Sequence, residues 1–321
     1  MIYINNESLN PYFNLALEEY LLTKTAKEVF MLWRNDNTIV VGKNQNTVAE
    51  INTDYVKKAN INVVRRLTGG GAVFHDKGNL NFTFILNNYG KWFSNFEKFT
   101  RPVIDVLQSL GVNAYSSGRN DILVDGCKIS GNAQTIFKNR ILHHGTLLFS
   151  ADIPKIVNAL NVNEAKISSK GIKSVGSRVT NISKHLKNAI TVEQFQRLIA
   201  DSFDLSEYHL TAEDIENTNR LVEEKYQTWD WNYGYSPKYT FKNNLRFSGG
   251  CVEIYLDIKD GIIQLCRIFG DFFSTEDIAD VEKVLVGCRH NVPDIKDKLK
   301  CIDFNKYFLG ITLDELVEIF I

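Results

Sequence analysis

A series of short apolar or β-branched segments between residues 62 and 149 constrains the fold of this chain more than any other feature. Period-two patterns and flanking turn residues predict strands at 62–66, 79–86, 121–124, 127–134 and 141–149. Helical periodicity predicts helices near 95–110, 152–160, 191–203 and 212–226. Because strands outnumber crossover helices, the pattern predicts an α+β fold with a mixed or antiparallel sheet and flanking helices, not a doubly wound one.

Local turn and cap signals refine this prediction. Asn10-Pro11 is a good helix start, and apolar residues then recur at helical spacing, which predicts a helix that buries one face. The segments VFMLW (29–33) and TIVVG (38–42) flank a polar turn and predict a hairpin. Asp125-Gly126 is typical of a hairpin turn between the strands on either side of it.

The C-terminal quarter of the chain has its own pattern. Residues 229–241 are rich in aromatic residues and mark the end of the large body. The stretch CVEIYLDIKDGIIQLCRIF then alternates with period two around Asp260-Gly261 and predicts a hairpin. Helices follow, the last begun by a capping box at Thr312 and Glu315. We therefore predict a catalytic domain at 1–245 and a small α/β domain at 246–321.

Composition excludes several classes of function. The 321 residues carry 37 Lys and Arg against 38 Asp and Glu, so no global field attracts nucleic acid or an anionic membrane. No apolar run is long enough to span a bilayer and the N-terminus has no basic leader, which predicts a cytoplasmic protein. The 5 cysteines are odd in number and form no C-x-x-C pair, which disfavours disulfides and structural zinc.

The stretch RRLTGGGAVFH (65–75) has the features of an anion-binding loop. It matches neither a Walker loop nor a dinucleotide fingerprint. Glycines that follow a strand nevertheless allow backbone N–H groups to approach a ligand. Since side chains alternate along a strand, we expect only one of Arg65 and Arg66 to point at that ligand. The alternatives are a glycine-rich turn with solvated arginines and, at His75, a structural histidine.

A second polar cluster occurs in GRNDILVDGCKISGNAQ (118–134). Strand alternation predicts Lys128 and Ser130 on one face, with Cys127 and Ile129 on the other, and Asp121 lies on the partner strand. The alternative is a lysine on the protein surface. HHGTLLF (143–149) lacks a zinc-binding pattern, so its histidines are expected to line the sheet. Residues 163–184 predict a long mobile loop, either functional or a solvated linker.

Taken together, RRLTGGGAVFHDKGN, GRNDILVDGCKISGNAQ, HHGTLLFSADI and KGIKSVGSRVTNI resemble the ordered motifs of the lipoate–protein ligases. These are the ATP-dependent branch of the lipoate/biotin ligase and octanoyltransferase superfamily. The resemblance implies that lipoate and Mg-ATP form lipoyl-AMP, and that the lipoyl group then passes to a lysine of a lipoyl domain. The implied acceptors are E2 subunits of 2-oxoacid dehydrogenases and the glycine cleavage H protein, with neither nucleic acid nor membrane as a partner.

The resemblance also implies roles for individual residues. Lys128 would be catalytic, and Asp121 would be a magnesium ligand. The residues implied to hold ATP or the adenylate are Arg66, Gly71, Ala72, Val73, Phe74, Asn79, Asp121, Lys128, Lys170, Ser174 and Arg178. Those implied to bind lipoate are Leu15, Trp33, Arg66, Gly70, Gly71, Val73, His75 and Lys128, with His75 at the rim of the slot. The loop at 166–180 would close over the adenylate and exclude water.

Two residues depart from the pattern of the family, and the sequence leaves three other functions open. Asn132 stands where many relatives have serine, and Gly176 where some have a basic residue. One rival is an ATP-independent octanoyl- or lipoyltransferase, which needs a cysteine such as Cys127 near the lysine. Another is biotin ligation, which shares the adenylate chemistry. The third is a non-catalytic lipoyl-binding adaptor.

Overall fold

A computed structural model describes residues 1–117, 120–160, 179–233, 241–259 and 261–320, apart from the side chains at 48 and 49. These residues form two compact units. The first comprises Met1–Val41, Val48–Arg65 and Val73–Asn232, and the second comprises Gly42–Thr47, Arg66–Ala72 and Tyr233–Ile321. The glycine-rich loop therefore packs with the C-terminal part of the chain.

Two sheets form the framework of the first unit. Their strands are β1 (Ile2–Asn6), β2 (Val29–Trp33), β3 (Thr38–Val41), β4 (Asn62–Arg65), β5 (Val73–His75), β6 (Asn79–Asn87), β7 (Ala114–Ser116), β8 (Asp121–Val124), β9 (Cys127–Phe137) and β10 (Arg140–Leu148). The large sheet has the order β1-β2-β6-β10-β9-β8-β7 and the small one β4-β3-β5. In the large sheet β1 and β2 run parallel and the other neighbours are antiparallel. The predicted α+β fold with a mixed sheet is confirmed.

Helices cover the sheets of the first unit. They are α1 (Pro11–Lys24), α2 (Thr47–Glu50, which begins in the second unit), α3 (Thr53–Lys58), α4 (Tyr89–Trp92), α5 (Phe96–Ser109), α6 (Ile153–Ala159), α7 (Val192–Asp201), α8 (Ala212–Leu221) and α9 (Trp229–Asn232). A 3-10 turn occupies Ile182–His185, and a π-turn at Val222–Tyr226 continues α8. The main core joins one face of the large sheet to α5 and α7, through residues such as Phe82, Phe99 and Phe195.

The predicted hairpin at 29–42 is wrong. β2 pairs with β1 and β6 in the large sheet, whereas β3 pairs with β4 and β5 in the small one. Between them the chain turns at Asn37, whose φ is 42°. Strand pairing depends on contacts between residues distant in sequence, so two adjacent strand patterns with a turn between them need not form a hairpin. The hairpin turn predicted at Asp125-Gly126 is confirmed, since φ is 50° and 77° at these residues.

Helix α1 begins where predicted but is buried on more than one face. Asn10 caps it by accepting hydrogen bonds from the backbone N–H groups of Tyr12 and Phe13. Its buried residues include Asn14, Leu15 and Glu18 in addition to the predicted apolar positions. The single-face prediction is therefore wrong, because this helix contacts the sheet on one side and α8 on another.

The second unit contains the predicted C-terminal hairpin. Its strands β11 (Phe241–Phe247), β12 (Gly250–Lys259) and β13 (Ile262–Gly270) form an antiparallel sheet. The helices α10 (Ile278–Leu285), α11 (Val292–Leu299) and α12 (Leu313–Val317) pack on it around a separate apolar core. The capping box at Thr312 and Glu315 is present. None of the helices in the described part of the chain has the length and apolar character that a membrane crossing requires.

Candidate active site

The large sheet has an apolar face and a polar face. On the polar face, Trp33 of β2 pairs with Asn81 of β6, and Asn81 pairs with Thr146 of β10. The hydroxyl of Thr146 accepts a hydrogen bond from the N–H of Gly131 on β9 at 3.2 Å, and Gly131 pairs with Asp121 of β8. Cross-strand partners share a face, so these residues form one line across five strands, which we call the polar row. With strands about 4.8 Å apart, three spacings separate Trp33 from Gly131 by roughly 14 Å.

Lys128 lies over one end of the polar row. Its Nζ atom is 2.7 Å from Asp121 Oδ1, and the two side chains are 37% and 31% exposed. A Cβ atom added at Gly131 would lie 2.8 Å from Nζ and 3.0 Å from Cε of Lys128. The glycine therefore leaves the space in which the lysine side chain lies. A partly exposed ammonium paired with one carboxylate is suited to contact a bound anion.

A β-bulge decides which residues accompany Lys128. The register of β8 and β9 shifts after Ile122, so that Ile122 pairs with Ser130 and Leu123 with Lys128. The predicted pairing of Lys128 with Ser130 on one face is therefore wrong, because the extra residue reverses the alternation. Ser130 is buried and accepts a hydrogen bond from Asn132 Nδ2 at 3.1 Å. Cys127 pairs with Val124 of the apolar core and so faces away from Lys128, as predicted.

The residues on either side of 161–178 are held by β-bridges. Leu160 forms a bridge to Ile51, and Val179 forms a parallel bridge to Lys128. The N–H of Thr180 donates to the carbonyl of Lys128 at 3.0 Å. The candidates Lys170, Ser174 and Arg178 lie outside the described residues. Val179, the first described residue after this segment, lies directly beside Lys128.

Trp33, at the other end of the polar row, is held by a buried hydrogen-bond network. Its Nε1–H donates to the hydroxyl of Thr83 at 2.8 Å, and this hydroxyl donates to Glu18 Oε1 at 2.5 Å. His144 Nδ1 lies 3.0 and 3.1 Å from the two oxygens of the same carboxylate. Because each of these polar groups has a hydrogen-bond partner, the carboxylate of Glu18 can be buried without a large loss of stability.

Three other candidates for the slot lie on α1 and β5 of the first unit. The rings of Trp33 and His75 meet edge to face with centroids 6.3 Å apart. His75 is 3% exposed, so it lies inside the unit and not at a rim as predicted. Leu15 is buried on α1, between Asn14 and Glu18. Val73 is partly exposed, whereas Phe74 is buried in the small sheet, where it pairs with Ile39.

Both parts of the chain match known protein families. Residues 10–204 match the family described as lipoyl protein ligase A/B catalytic domain, and residues 236–320 match the bacterial lipoate protein ligase C-terminus. The chain belongs to the lipoate–protein ligase family. It is similar to lipoate–protein ligase 1 of Staphylococcus aureus, with 48% identity over 98% of each chain. It is also similar to the lipoate–protein ligase LplJ of Bacillus subtilis, with 47% identity over 99% of each chain.

Solved structures agree with this family assignment. The crystal structure of LipL1 from P. falciparum in complex with lipoate superposes with a TM-score of 0.81. It covers 99% of this chain and 98% of its own, at 27% identity. A bipartite lipoate–protein ligase from Thermoplasma acidophilum, studied with its E2 lipoyl domain, gives a TM-score of 0.66 over 75% of this chain and 98% of its own, at 27% identity.

In this ligase the glycine-rich loop is organised by Arg66. Arg66 Nε donates to the hydroxyl of Thr68 at 2.9 Å, and Nη2 donates to the carbonyls of Gly69 and Gly71 at 2.7 and 2.9 Å. Gly70 has a φ of 91°, a conformation that favours glycine. The guanidinium therefore fixes the shape of the loop from within the second unit.

Arg65 has a different role, in the first unit. Its side chain donates to the backbone carbonyls of Trp231 and Asn232 at 2.9 and 3.2 Å. Burial lowers the pKa of this guanidinium to about 10. Arg65 and Arg66 are 7% and 6% exposed, so the alternative of solvated arginines is wrong. The side chain of Arg65 is used for packing, and a ligand-binding role for Arg66 stays a prediction.

The two histidines of HHGTLLF lie on opposite faces of β10. His144 contacts Glu18 on the polar face, while His143 stacks on Phe99 in the core with centroids 4.4 Å apart. Burial lowers the pKa of His143 well below its usual value, and neighbouring His144 lowers it further. Asn132 Oδ1 is 3.2 Å from His143 Nε2, so the asparagine found in place of serine serves the core and not the polar face.

Several polar residues on this face or beside it had not been singled out from the sequence. They are Asn14, Glu18, Asn35, Asn81, Thr83 and Thr146. A signal for two of them was present, because NLNFTF (79–84) alternates polar and apolar residues and so predicts a polar face in a buried strand. Asn79 Nδ2 donates to Asn81 Oδ1 at 2.9 Å, which places the candidate Asn79 beside the polar row.

Proposed function

We propose that this ligase uses Mg-ATP to convert lipoate to lipoyl-AMP, and then transfers the lipoyl group to a lysine of a lipoyl-domain protein. The observation that supports this best is the ammonium of Lys128 over Gly131, at one end of the polar row, with Trp33 at the other. The row suits an elongated acid with its carboxylate near Lys128 and its apolar tail near Leu15, Trp33, Val73 and His75. The members of this slot are proposals from the resemblance.

The chemistry explains why a lysine is needed. When a carboxylate attacks the α-phosphate of ATP, two anions approach each other, and the transition state gathers negative charge. The ammonium of Lys128 can contact both groups and stabilise that charge, and it can stabilise the leaving phosphate in the transfer step. We therefore propose Lys128 as the catalytic residue, with Asn79 and Asp121 among the ATP contacts.

We propose a phosphate-binding role for the glycine-rich loop on separate grounds. Arg66, Gly70, Gly71 and Ala72 in the second unit, with Val73 and Phe74 in the first, correspond to the ATP- and lipoate-binding motif of the family. Arg66 holds the loop through carbonyl groups, and a loop so fixed keeps its N–H groups in one conformation. Lys170, Ser174 and Arg178 are proposed as contacts of a closing loop, since Val179 pairs with Lys128.

The residues present fit magnesium in a limited way. Within the described residues no three Asp, Glu, His or Cys side chains converge on one point. Mg²⁺ commonly binds one or two carboxylates together with substrate phosphates, so the single carboxylate of Asp121 is sufficient on the protein side. When bound with ATP, magnesium neutralises phosphate charge. Asp121 would be the residue that holds the metal, beside Lys128.

The domain boundary and the acceptor proteins are also proposals. The separate family matches at 10–204 and 236–320 support a division into two domains, proposed at 1–245 and 246–321. The proposed boundary lies within β11, and the second unit begins earlier, at Tyr233, and includes Gly42–Thr47 and Arg66–Ala72. E2 subunits and the glycine cleavage H protein are proposed as acceptors because the family acts on lipoyl domains. The cytoplasmic location stays a prediction from the sequence.

The rival functions have less support. A thiol-dependent transferase needs a cysteine beside the lysine, but Cys127 pairs with a core residue and faces away. Cys251, Cys266 and Cys288 are buried in the second unit. A binding adaptor would have no need of an ammonium placed to contact phosphate.

The deciding experiment is lipoate-dependent exchange of labelled pyrophosphate into ATP, with octanoate and biotin in parallel. We expect exchange with lipoate, its loss in Lys128→Ala, and its retention in Lys155→Ala, a matched change at an exposed lysine on α6. Normal exchange by Lys128→Ala would remove the assigned role. Absence of exchange with every acid in the unaltered ligase would reject the adenylating function.

A further inference from the structure

The three glycines of the glycine-rich loop have different surroundings. A Cβ atom added at Gly69 would lie 2.6 Å from the carbonyl oxygen of Phe272 and 3.4 Å from Cδ1 of Phe273. One added at Gly70 would lie 3.7 and 3.8 Å from Cε1 and Cζ of the same Phe273 ring. One added at Gly71 would meet no atom of the described residues within 4 Å, its chain neighbours aside. The first two glycines therefore pack against two phenylalanines, and the third faces open space.

These phenylalanines come from the C-terminal part of the chain. The loop and the phenylalanines lie in the same compact unit, which includes Arg66–Ala72 and Tyr233–Ile321. Phe272 and Phe273 also fall within the family match at 236–320. The contacts of Gly69 and Gly70 are thus supplied by the domain that follows the catalytic one in sequence.

The backbone that carries the Phe273 ring is fixed on both sides. Phe272 is buried in the core of the second unit, where its ring centroid lies 5.0 Å from that of Phe308. The carbonyl of Phe273 accepts a hydrogen bond from the N–H of Leu309 at 3.1 Å. The Phe273 side chain itself is partly exposed. Replacing it should therefore change the support of the loop without removing a part of the core.

A second segment of the same unit holds the loop through its backbone. The N–H of Lys43 donates to the carbonyl of Thr68 at 2.8 Å, and the N–H of Gly270 donates to the carbonyl of Asn44 at 2.6 Å. Arg66 holds the carbonyls of Gly69 and Gly71, as described above. These hydrogen bonds fix the carbonyl groups of the loop, whereas the Phe273 ring contacts its glycines directly.

Such support matters because glycine loses more conformational freedom on ordering than any other residue. Three consecutive glycines without fixed neighbours would have to be ordered each time a ligand binds. An anion-binding nest needs backbone N–H groups that point at one place. A loop that is held in its bound conformation before the ligand arrives binds more tightly, because the cost of ordering is not deducted from the affinity.

We propose that Phe273 is a positioning residue of the ligase, whose ring holds Gly69 and Gly70 so that the N–H groups of the loop stay directed at ATP and Gly71 is the glycine that faces the nucleotide. This inference rests on the proposed function, in which the loop binds phosphate. The glycine run then serves two tasks. Gly69 and Gly70 let the phenylalanines approach, and Gly71 leaves space for the ligand.

The test compares ATP binding in variants of the full-length ligase. Calorimetry gives the Kd for Mg-ATP without lipoate, and pyrophosphate exchange gives the KM for ATP. In Phe273→Ala both constants should rise about tenfold, because the loop must then be ordered on binding. The kcat at saturating ATP should stay within about twofold, since no group that contacts the reacting atoms is changed. Phe273→Tyr keeps the ring and should restore both constants.

The matched control is Phe269→Ala. Phe269 is a partly exposed phenylalanine of the same unit, on β13, and its ring contacts Tyr255 with centroids 5.4 Å apart. This variant should leave the Kd for Mg-ATP unchanged. If Phe273→Ala fails to fold, Phe273→Leu takes its place, and the smaller loss of contact should raise the Kd about threefold.

The role of Gly71 has its own variant. Gly71→Ala should unfold at the same urea concentration as the unaltered ligase, because the added Cβ meets no described atom. It should nevertheless weaken Mg-ATP binding, since the Cβ would occupy the space left for the nucleotide. Normal ATP binding by Gly71→Ala would contradict the assignment of this glycine.

The results that overturn this inference differ from those that reject the proposed function. An unchanged Kd for Mg-ATP in the folded Phe273 variants, or an equal rise in Phe269→Ala, contradicts the positioning role while lipoate-dependent exchange continues. Failure of the proposed function appears instead in the unaltered ligase, as the absence of both ATP binding and exchange.

Discussion

The hydroxyl of Thr83 donates to the buried carboxylate of Glu18 at 2.5 Å. The same hydroxyl accepts from the indole of Trp33 at 2.8 Å, so one oxygen joins a helix, a central strand and a residue proposed to contact lipoate. In Thr83→Val the shape is kept but both hydrogen bonds are lost. The indole N–H of Trp33 loses its acceptor, whereas the carboxylate of Glu18 keeps its contact with His144, so the free energy of unfolding should fall by about 1 to 3 kcal/mol. Urea unfolding measures this change.

The matched control for this prediction is Thr83→Ser, which restores the hydroxyl without the methyl group. It should recover most of the lost stability, and the KM for lipoate should follow the same order. Equal stability of Thr83→Val and the unaltered ligase would show that Trp33 is oriented by other contacts.

Gly131→Ala should impair catalysis without harming the fold. The added Cβ would meet Lys128 at Nζ and Cε, at 2.8 and 3.0 Å, and the flexible end of the lysine side chain can move away. The ammonium would then leave its place over the polar row, and displacements of this size can reduce kcat/KM by roughly 100-fold. Gly90→Ala, where a Cβ meets no atom within 4 Å, is the control. Full activity of Gly131→Ala would mean that the observed position of Lys128 is unimportant.

Asn132→Ser, which introduces the residue common in relatives, should affect stability and leave substrate binding alone. Asn132 Oδ1 is the partner of the buried His143 Nε2 at 3.2 Å, and a serine hydroxyl is too short to reach it. We expect the free energy of unfolding to fall by about 1 to 2 kcal/mol. Calorimetry and the KM for lipoate test the two parts separately. A large change in KM would place Asn132 in the substrate site after all.

Asp214 should make stability depend on acid pH. Burial alone would raise the pKa of this carboxyl, but hydrogen bonds from Thr211, Tyr208 and Tyr20 outweigh burial and lower the pKa to about 2. A carboxyl whose pKa is lower in the folded state stabilises the protein above its unfolded pKa of about 3.9. That contribution is lost as pH falls from about 4 toward 2. Asp214→Asn should therefore flatten the stability profile in this range, measured by thermal unfolding.

The control for Asp214 is Glu216→Gln on the same helix, at an exposed carboxyl that pairs with Arg220. Surface pairs of this kind contribute little, so its profile should match that of the unaltered ligase. An unchanged acid profile in Asp214→Asn would assign the acid sensitivity to other groups.

Much of this fold follows from local sequence. The hairpin turn at Asp125-Gly126 is set by neighbouring residues, and it brings Lys128 and Asp121 onto paired strands as predicted. The partner of a strand is not a local property, and for that reason β2 and β3 looked like a hairpin although they belong to different sheets. The alternation of side chains along a strand does not reveal a β-bulge, and for this reason the predicted face of Ser130 is wrong.

The polar side chains of α1 were hidden for a different reason. A helix buried on several sides shows no clean polar stripe, and Asn14 and Glu18 resemble surface positions in the sequence. Their partners Asn35 and Thr83 lie on other elements, so the networks exist only after folding. Lys128 and Arg66 could be singled out from the sequence because they occur in dense polar motifs near glycines, and their roles toward a substrate stay predictions.

Strand β6 should tolerate point substitutions better than insertions or deletions. Asn79, Asn81 and Thr83 face the polar side, while Leu80 and Phe82 face the core, so adjacent codons serve different purposes. A point substitution in β6 changes a side chain on one face of the sheet and leaves those of the other face in place. A one-codon insertion or deletion in β6 would exchange the two sets of side chains at once. We therefore expect natural variants of this strand to differ by replacement and never in length.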